Sequence, residues 1–79
     1  MNLYLLTQHA NSGWDTYDSL VVVAPDEETA RTILPDFCNS WEDEYTPWAY
    51  SPDQVHVTFL GTASPDLNQG VILSSFNAG

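Results

Sequence analysis

The sequence has no lysine, and Arg31 is its only arginine, against eleven aspartates and glutamates. So little cationic charge leaves nothing to neutralise a phosphate backbone, which excludes direct binding of nucleic acid, and an anionic body is repelled by anionic lipid. Cysteine is nearly missing too. Cys38 stands alone, so no intramolecular disulfide forms and nothing points to an oxidising compartment, which leaves the cytoplasm as the expected setting. No apolar run approaches the length needed to span a bilayer, and residues 1–6 lack the basic start and long apolar stretch of a signal peptide. A glycine-rich loop ahead of a helix is also lacking, so a phosphate cradle has no support.

What remains is material for one folded domain, residues 1–79. Apolar residues make up 43% of the chain and include Trp14, Trp41 and Trp48, enough for an interior and against disorder. A chain of this length predicts a radius of gyration of roughly 12 Å. Around that interior the formal charge is −10, and like charges on so small a body oppose folding. Three causes would maintain it: a cationic partner, a high-salt cytoplasm, or drift on an unconstrained surface. The first is the reading developed below.

Residues 3–8 alternate as a strand, with Leu3, Leu5 and Thr7 on one face and Tyr4, Leu6 and Gln8 on the other. Asn11, Ser12 and Gly13 supply turn chemistry. The return strand is expected at 16–24, where the run Leu20-Val21-Val22-Val23 suits the middle of a sheet. Pro25 stops it. Asp26, Glu27 and Glu28 make a good helix start, because carboxylates there meet unsatisfied amides and the positive end of the dipole. Ala30, Ile33 and Leu34 then recur at helical spacing, and Pro35 is expected to end the helix after about two turns. Residues 36–52 hold no period and predict a long loop, with a helical turn near 41–45. Val55, Val57 and Phe59 alternate with His56, Thr58 and Leu60 in a third strand, and a turn around 65–70 leads to a fourth at 71–76. The expected fold is α+β: an antiparallel four-stranded sheet with one short helix packed on one face, in the order ββαββ. Its edges carry no lysine guard, which is compatible with a monomer or a weak homodimer.

Catalysis finds little support. Cys38, His9 and His56 are scattered, unlike the local ligand spacing of a metal site, so neither metal nor cofactor is expected. Asp36, Glu42, Asp43 and Glu44 near Cys38 disfavour a thiolate. Paired carboxylates such as Glu42 and Glu44 need a substrate cleft, which a domain this small hardly provides. The chain is therefore read as a binding protein and not an enzyme. Its candidate contact residues are Asp15, Asp18, Asp26, Glu27, Glu28, Asp36, Trp41, Glu42, Asp43, Glu44 and Tyr45. In the loop, carboxylates interleave with aromatics, a pattern that pairs with arginine forks while rings stack on guanidinium planes. The bland alternative is a loop whose aromatics fold onto the core and whose acids are merely solvated. For the cluster 26–28 the bland reading is a helix start. A single DNA strand carries a charge every ~3.4 Å, so the roughly 30 Å span of the domain matches about nine of them, close to the net charge of the chain.

Certain stretches carry a resemblance. Tyr4-Leu5-Leu6-Thr7-Gln8, then Gly13-Trp14-Asp15-Thr16-Tyr17-Asp18-Ser19 with residues 21–24, then Glu27-Glu28 with Ala30-Arg31, and finally Gly70-Val71-Ile72-Leu73 through Ser75-Phe76-Asn77-Ala78-Gly79 resemble a family of small bacteriophage proteins. These motifs cover about half the chain. Relatives are often longer between the helix and the third strand, so the loop 36–52 departs from the family pattern. The acidic, phage-encoded character looks like that of type I anti-CRISPR proteins, several of which imitate DNA to block the target-binding groove of a surveillance complex such as the type I-C Cascade. The resemblance implies a partner with a basic, Lys/Arg-rich surface, a Cas subunit of a type I effector, met in the host cell cytoplasm. The alternative is a phage interaction protein that sequesters a different host DNA-binding or transcription protein.

Overall fold

In the computed structural model, which describes residues 1–78, strand β1 (Asn2–Thr7) and strand β2 (Thr16–Ala24) form a central antiparallel hairpin. Helix α1 (Glu27–Arg31) follows, then a long irregular segment that ends in a 3-10 turn at Pro52–Gln54. Strand β3 (His56–Thr62) pairs antiparallel with β1, and strand β4 (Gly70–Asn77) pairs antiparallel with β2. The sheet order is β3-β1-β2-β4. The link 63–69 therefore carries the chain from one edge of the sheet to the other, past the end where β1 begins. It is anchored by Ala63, whose N–H donates to the Met1 carbonyl at 2.9 Å. The domain is the expected α+β sheet with one short helix, and its radius of gyration is 12.0 Å.

The period-2 patterning decides which face is covered. Tyr4 and Leu6 of the first strand, with Leu20, Val22 and Ala24 of the second, are buried against Ala30, Trp48, Ala49 and Val55, and Gln8, just past the first strand, is buried as well. On the other face, Leu3, Leu5, Thr7 and Val21 are half-buried and Val23 is fully buried. The apolar run 20–23 does sit in a central strand, as its β-branched composition requires.

Two expectations are corrected. The helix has five residues and not two turns: Thr32 caps it, with its hydroxyl donating to the Thr29 carbonyl at 2.8 Å, and Ile33 and Leu34 lie outside it. Pro35 disfavours helical backbone at Leu34, which is consistent with a helix that ends before it. Ile33 and Leu34 still pack on the core from irregular backbone. The segment 41–45 forms no helical turn either. Its polar side chains bond their own backbone instead: Ser40 Oγ accepts from the Glu42 N–H at 2.9 Å and Asp43 Oδ1 from the Tyr45 N–H at 3.0 Å, which competes with helix.

Candidate interaction surface

The eleven carboxylates fall into groups with different structural duties. Asp26 is the N-cap of α1, its Oδ1 accepting from the Thr29 N–H at 2.7 Å, and hydrogen bonding from Thr29, from its side chain first and its backbone second, holds the Asp26 carboxyl below the usual aspartate range. Glu27 pairs with Arg31 at 3.3 Å. Nη1 of the Arg31 guanidinium donates to the backbone carbonyls of Pro52 and Val55, tying α1 to the approach to β3. The one Lys/Arg side chain of the sequence is thus committed to the framework.

At the opposite end of β2 the chain builds a different surface. Gly13, with φ +117°, and Asp15, with φ +62°, bend the hairpin turn back into β2. Gln8 is buried and clamps that turn: its Nε2 donates to the carbonyls of Asn11 and Tyr17, both at 2.7 Å, and its Oε1 accepts from the Asn11 N–H. Asn11 then reaches across to the long loop. Its Nδ2 donates to the Thr46 carbonyl at 2.8 Å and the Trp48 carbonyl at 2.9 Å, while the Tyr17 N–H donates to the Pro47 carbonyl at 2.8 Å. Farther along, Cys38 Sγ lies 3.1 Å from Thr46 Oγ1. The turn and the loop are therefore one unit at one end of the sheet.

The turn, the start of β2 and the loop carry Asp15, Asp18, Asp36, Glu42, Asp43, Glu44 and Tyr45 of the expected contact set, whereas Asp26, Glu27 and Glu28 follow the exit of β2 at the start of α1. Every carboxylate in the chain is exposed except Asp43, which is half-buried. Tyr17, at the root of the unit, has its phenol pushed above the ordinary value by burial and then by the nearby negative charge of Asp36.

The aromatics of the loop divide. Trp48 is fully buried in the core, and Trp41 is half-buried against it. Tyr45, by contrast, is 85% exposed. Two further rings, absent from the expected set, are exposed beside acids: Phe37 at 86%, next to Asp36, and Trp14 at 73%, next to Asp15. Phe37 also holds φ at +67°, a conformation unfavourable for a bulky side chain, so the backbone turns this ring outward at a cost. The signal available in the sequence was adjacency, since each ring stands beside an acid. Asn11 was also missed.

Among the described residues, no three His, Cys, Asp or Glu side chains are placed to hold a metal ion, and no helix is long and apolar enough to cross a membrane. No protein-family model matches this sequence, and no curated protein or solved structure does either.

Proposed function

We propose that the chain is a phage-encoded anti-CRISPR inhibitor that occupies a Lys/Arg-lined DNA-binding surface of a type I surveillance complex and excludes target DNA from it. The observation that carries the proposal is the pairing of exposed rings with exposed acids, Trp14 with Asp15, Phe37 with Asp36 and Tyr45 with Glu44, on the unit formed by the hairpin turn and the loop. A groove that binds DNA presents guanidinium and ammonium groups at phosphate spacing. Carboxylates accept bidentate hydrogen bonds from such forks, and ring faces stack on their planes. The long dimension of the molecule, 35 Å, equals the length of about ten nucleotides of one strand. Competition needs no catalytic group. The proposed site of action is the host cytoplasm.

The deciding experiment is binding of the purified chain to a type I-C complex, with and without target DNA, at two salt concentrations. Binding that DNA displaces and that weakens by about tenfold or more between 0.05 and 0.5 M salt is expected. Converting Asp36, Glu42 and Glu44 to their amides should weaken it by roughly a hundredfold with little change in Tm, at about 1 kcal/mol per contact. Binding indifferent to DNA would replace competition with allostery. Recovery of a repressor or polymerase subunit from host lysate, with no affinity for the complex, would move the same surface to a different DNA-binding partner.

A further inference from the structure

Phe37 is held outward by a backbone conformation that its own side chain disfavours. The chain turns sharply there: the Cys38 N–H donates to the Pro35 carbonyl at 3.3 Å, and Phe37, the third residue of the turn, has φ at +67°. A turn with positive φ at its third residue alone calls for glycine or asparagine at that place, since a Cβ crowds the backbone in the left-handed region. Both sides of the turn are fixed. Pro35 is buried, and so is Cys38, whose Sγ lies 3.1 Å from Thr46 Oγ1. The ring between them is 86% exposed, so packing against the domain does not offset the strained angle. The other displayed rings differ. Trp14 and Tyr45 each carry a polar atom that water solvates, and neither has a positive φ. Phe37 has neither compensation, and strain that persists without a return inside the fold points to a role outside it.

We infer that Phe37 is the anchor of the interaction surface, its ring stacking on an arginine guanidinium of the partner, and that the surface therefore selects arginine over lysine. This role rests on the reading of the acidic turn and loop as a site for a basic protein, and it names the cation. The net charge of −10 repels an anionic partner, and a bare phenyl ring offers no hydrogen bond to a neutral polar one. A guanidinium is flat and weakly hydrated. It stacks on a ring face while the N–H groups around its edge stay free for a carboxylate, and Asp36, next to Phe37 in the turn, is exposed. An ammonium is a compact, strongly hydrated charge that gives up more water to reach the same ring. The left-handed angle fits this role, because a ring already held outward needs no backbone ordering when the partner arrives. Aromatic anchors that pair with arginine are also the usual centres of binding energy in an interface.

Stability and binding should move in opposite directions when the ring is removed. Phe37→Gly relieves the left-handed angle and removes little packing, so the Tm of the free chain should rise by about 3 °C, even after the added freedom of the unfolded chain is subtracted. Binding is read by calorimetry on oligo-arginine and oligo-lysine peptides of equal charge, each about ten residues long, at about 0.15 M salt. The natural chain should bind the arginine peptide about fivefold more tightly. Phe37→Gly should bring that preference below about twofold. Phe37→Leu, which keeps an apolar side chain at the same angle but has no ring face, should do the same without raising Tm. Equal affinity of the natural chain for the two peptides overturns the inference, as does a preference that survives both substitutions. A Tm that fails to rise in Phe37→Gly overturns it too, because the ring then supports the fold. These probes need no surveillance complex, so a chain that prefers arginine yet ignores the type I complex refutes the proposed target and leaves the anchor standing.

Discussion

The two ends of β2 carry acids of the same type in opposite roles. At the exit, Asp26 closes the first turn of α1 and Glu27 meets Arg31, so each has a local reason to be there. At the entry, Asp36, Glu42 and Glu44 stand exposed beside Phe37 and Tyr45, and that arrangement adds like-charge repulsion to the fold. A carboxylate that caps or pairs is explained by folding. One that sits exposed beside an outward-held ring, in a chain whose one guanidinium is committed elsewhere, is explained by something outside the molecule. The comparison therefore separates acids that build the domain from acids the domain displays.

The largest blow to that comparison is removal of the floor under the display. Trp48 is the largest fully buried side chain, and its neighbours Thr46 and Pro47 take the hydrogen bonds that hold the turn to the loop. Trp48→Ala is expected to cost about 3–5 kcal/mol, enough to unfold much of a domain this small. Among the described residues its indole Nε1 is buried with no acceptor, a burden of about 1–3 kcal/mol that phenylalanine does not carry. Trp48→Phe should accordingly lose much less. Denaturant melts of the two variants check this, and equal losses would show that the indole N–H is not a burden whose removal offsets the lost volume.

A sharper cut leaves the core whole and unties only the two halves of the acidic end. Asn11→Ala removes both side-chain bonds to the carbonyls of Thr46 and Trp48, for an expected loss of about 1–3 kcal/mol. Hydrogen exchange should then rise at residues 40–48 while the pairing of β1 with β2 stays protected. If exchange rises evenly over the whole chain, the turn and the loop are not a separable unit.

Asn11 also marks where sequence reasoning stops. The faces of β1 were legible, because alternation over six residues puts Tyr4 and Leu6 on one side and Leu3 and Leu5 on the other. The central position of 20–23 followed from its unbroken β-branched run. A hydrogen bond from residue 11 to residues 46 and 48 leaves no such local trace, since nothing periodic in the intervening chain encodes it. The same limit hid the different fates of Trp48, Trp41 and Tyr45, three aromatics in one aperiodic stretch whose burial depends on tertiary contacts. The end of α1 was readable in principle. Pro35 acts on Leu34 before it acts on itself, so helical spacing at 33 and 34 was misleading. Strand order was open for a different reason: a link of seven residues from Ala63 to Gln69 could close a hairpin or cross the sheet, and only pairing decides.

The smallest effect tests the exit end, where the acids are held to be structural. Asp26 accepts from Thr29, from its side chain first and then its backbone N–H, more strongly as a carboxylate than as an acid, which is why its pKa lies below the usual 3.8. A carboxyl whose folded value is depressed adds stability above its unfolded pKa and loses that contribution as the pH falls through the folded one. The informative quantity is thus the difference in Tm between the natural chain and Asp26→Ala, which cancels whatever the other carboxylates do in common. At pH 7 the difference should be about 5 °C, and it should shrink steadily below pH 3.8 as the cap protonates. Asp26→Asn, which keeps an acceptor oxygen but no charge to titrate, should recover most of the loss at pH 7 and show little dependence on pH. A difference that stays constant down to pH 2 would mean the Asp26 charge contributes nothing to the helix start, and Asp26 would then belong with the acids the domain displays.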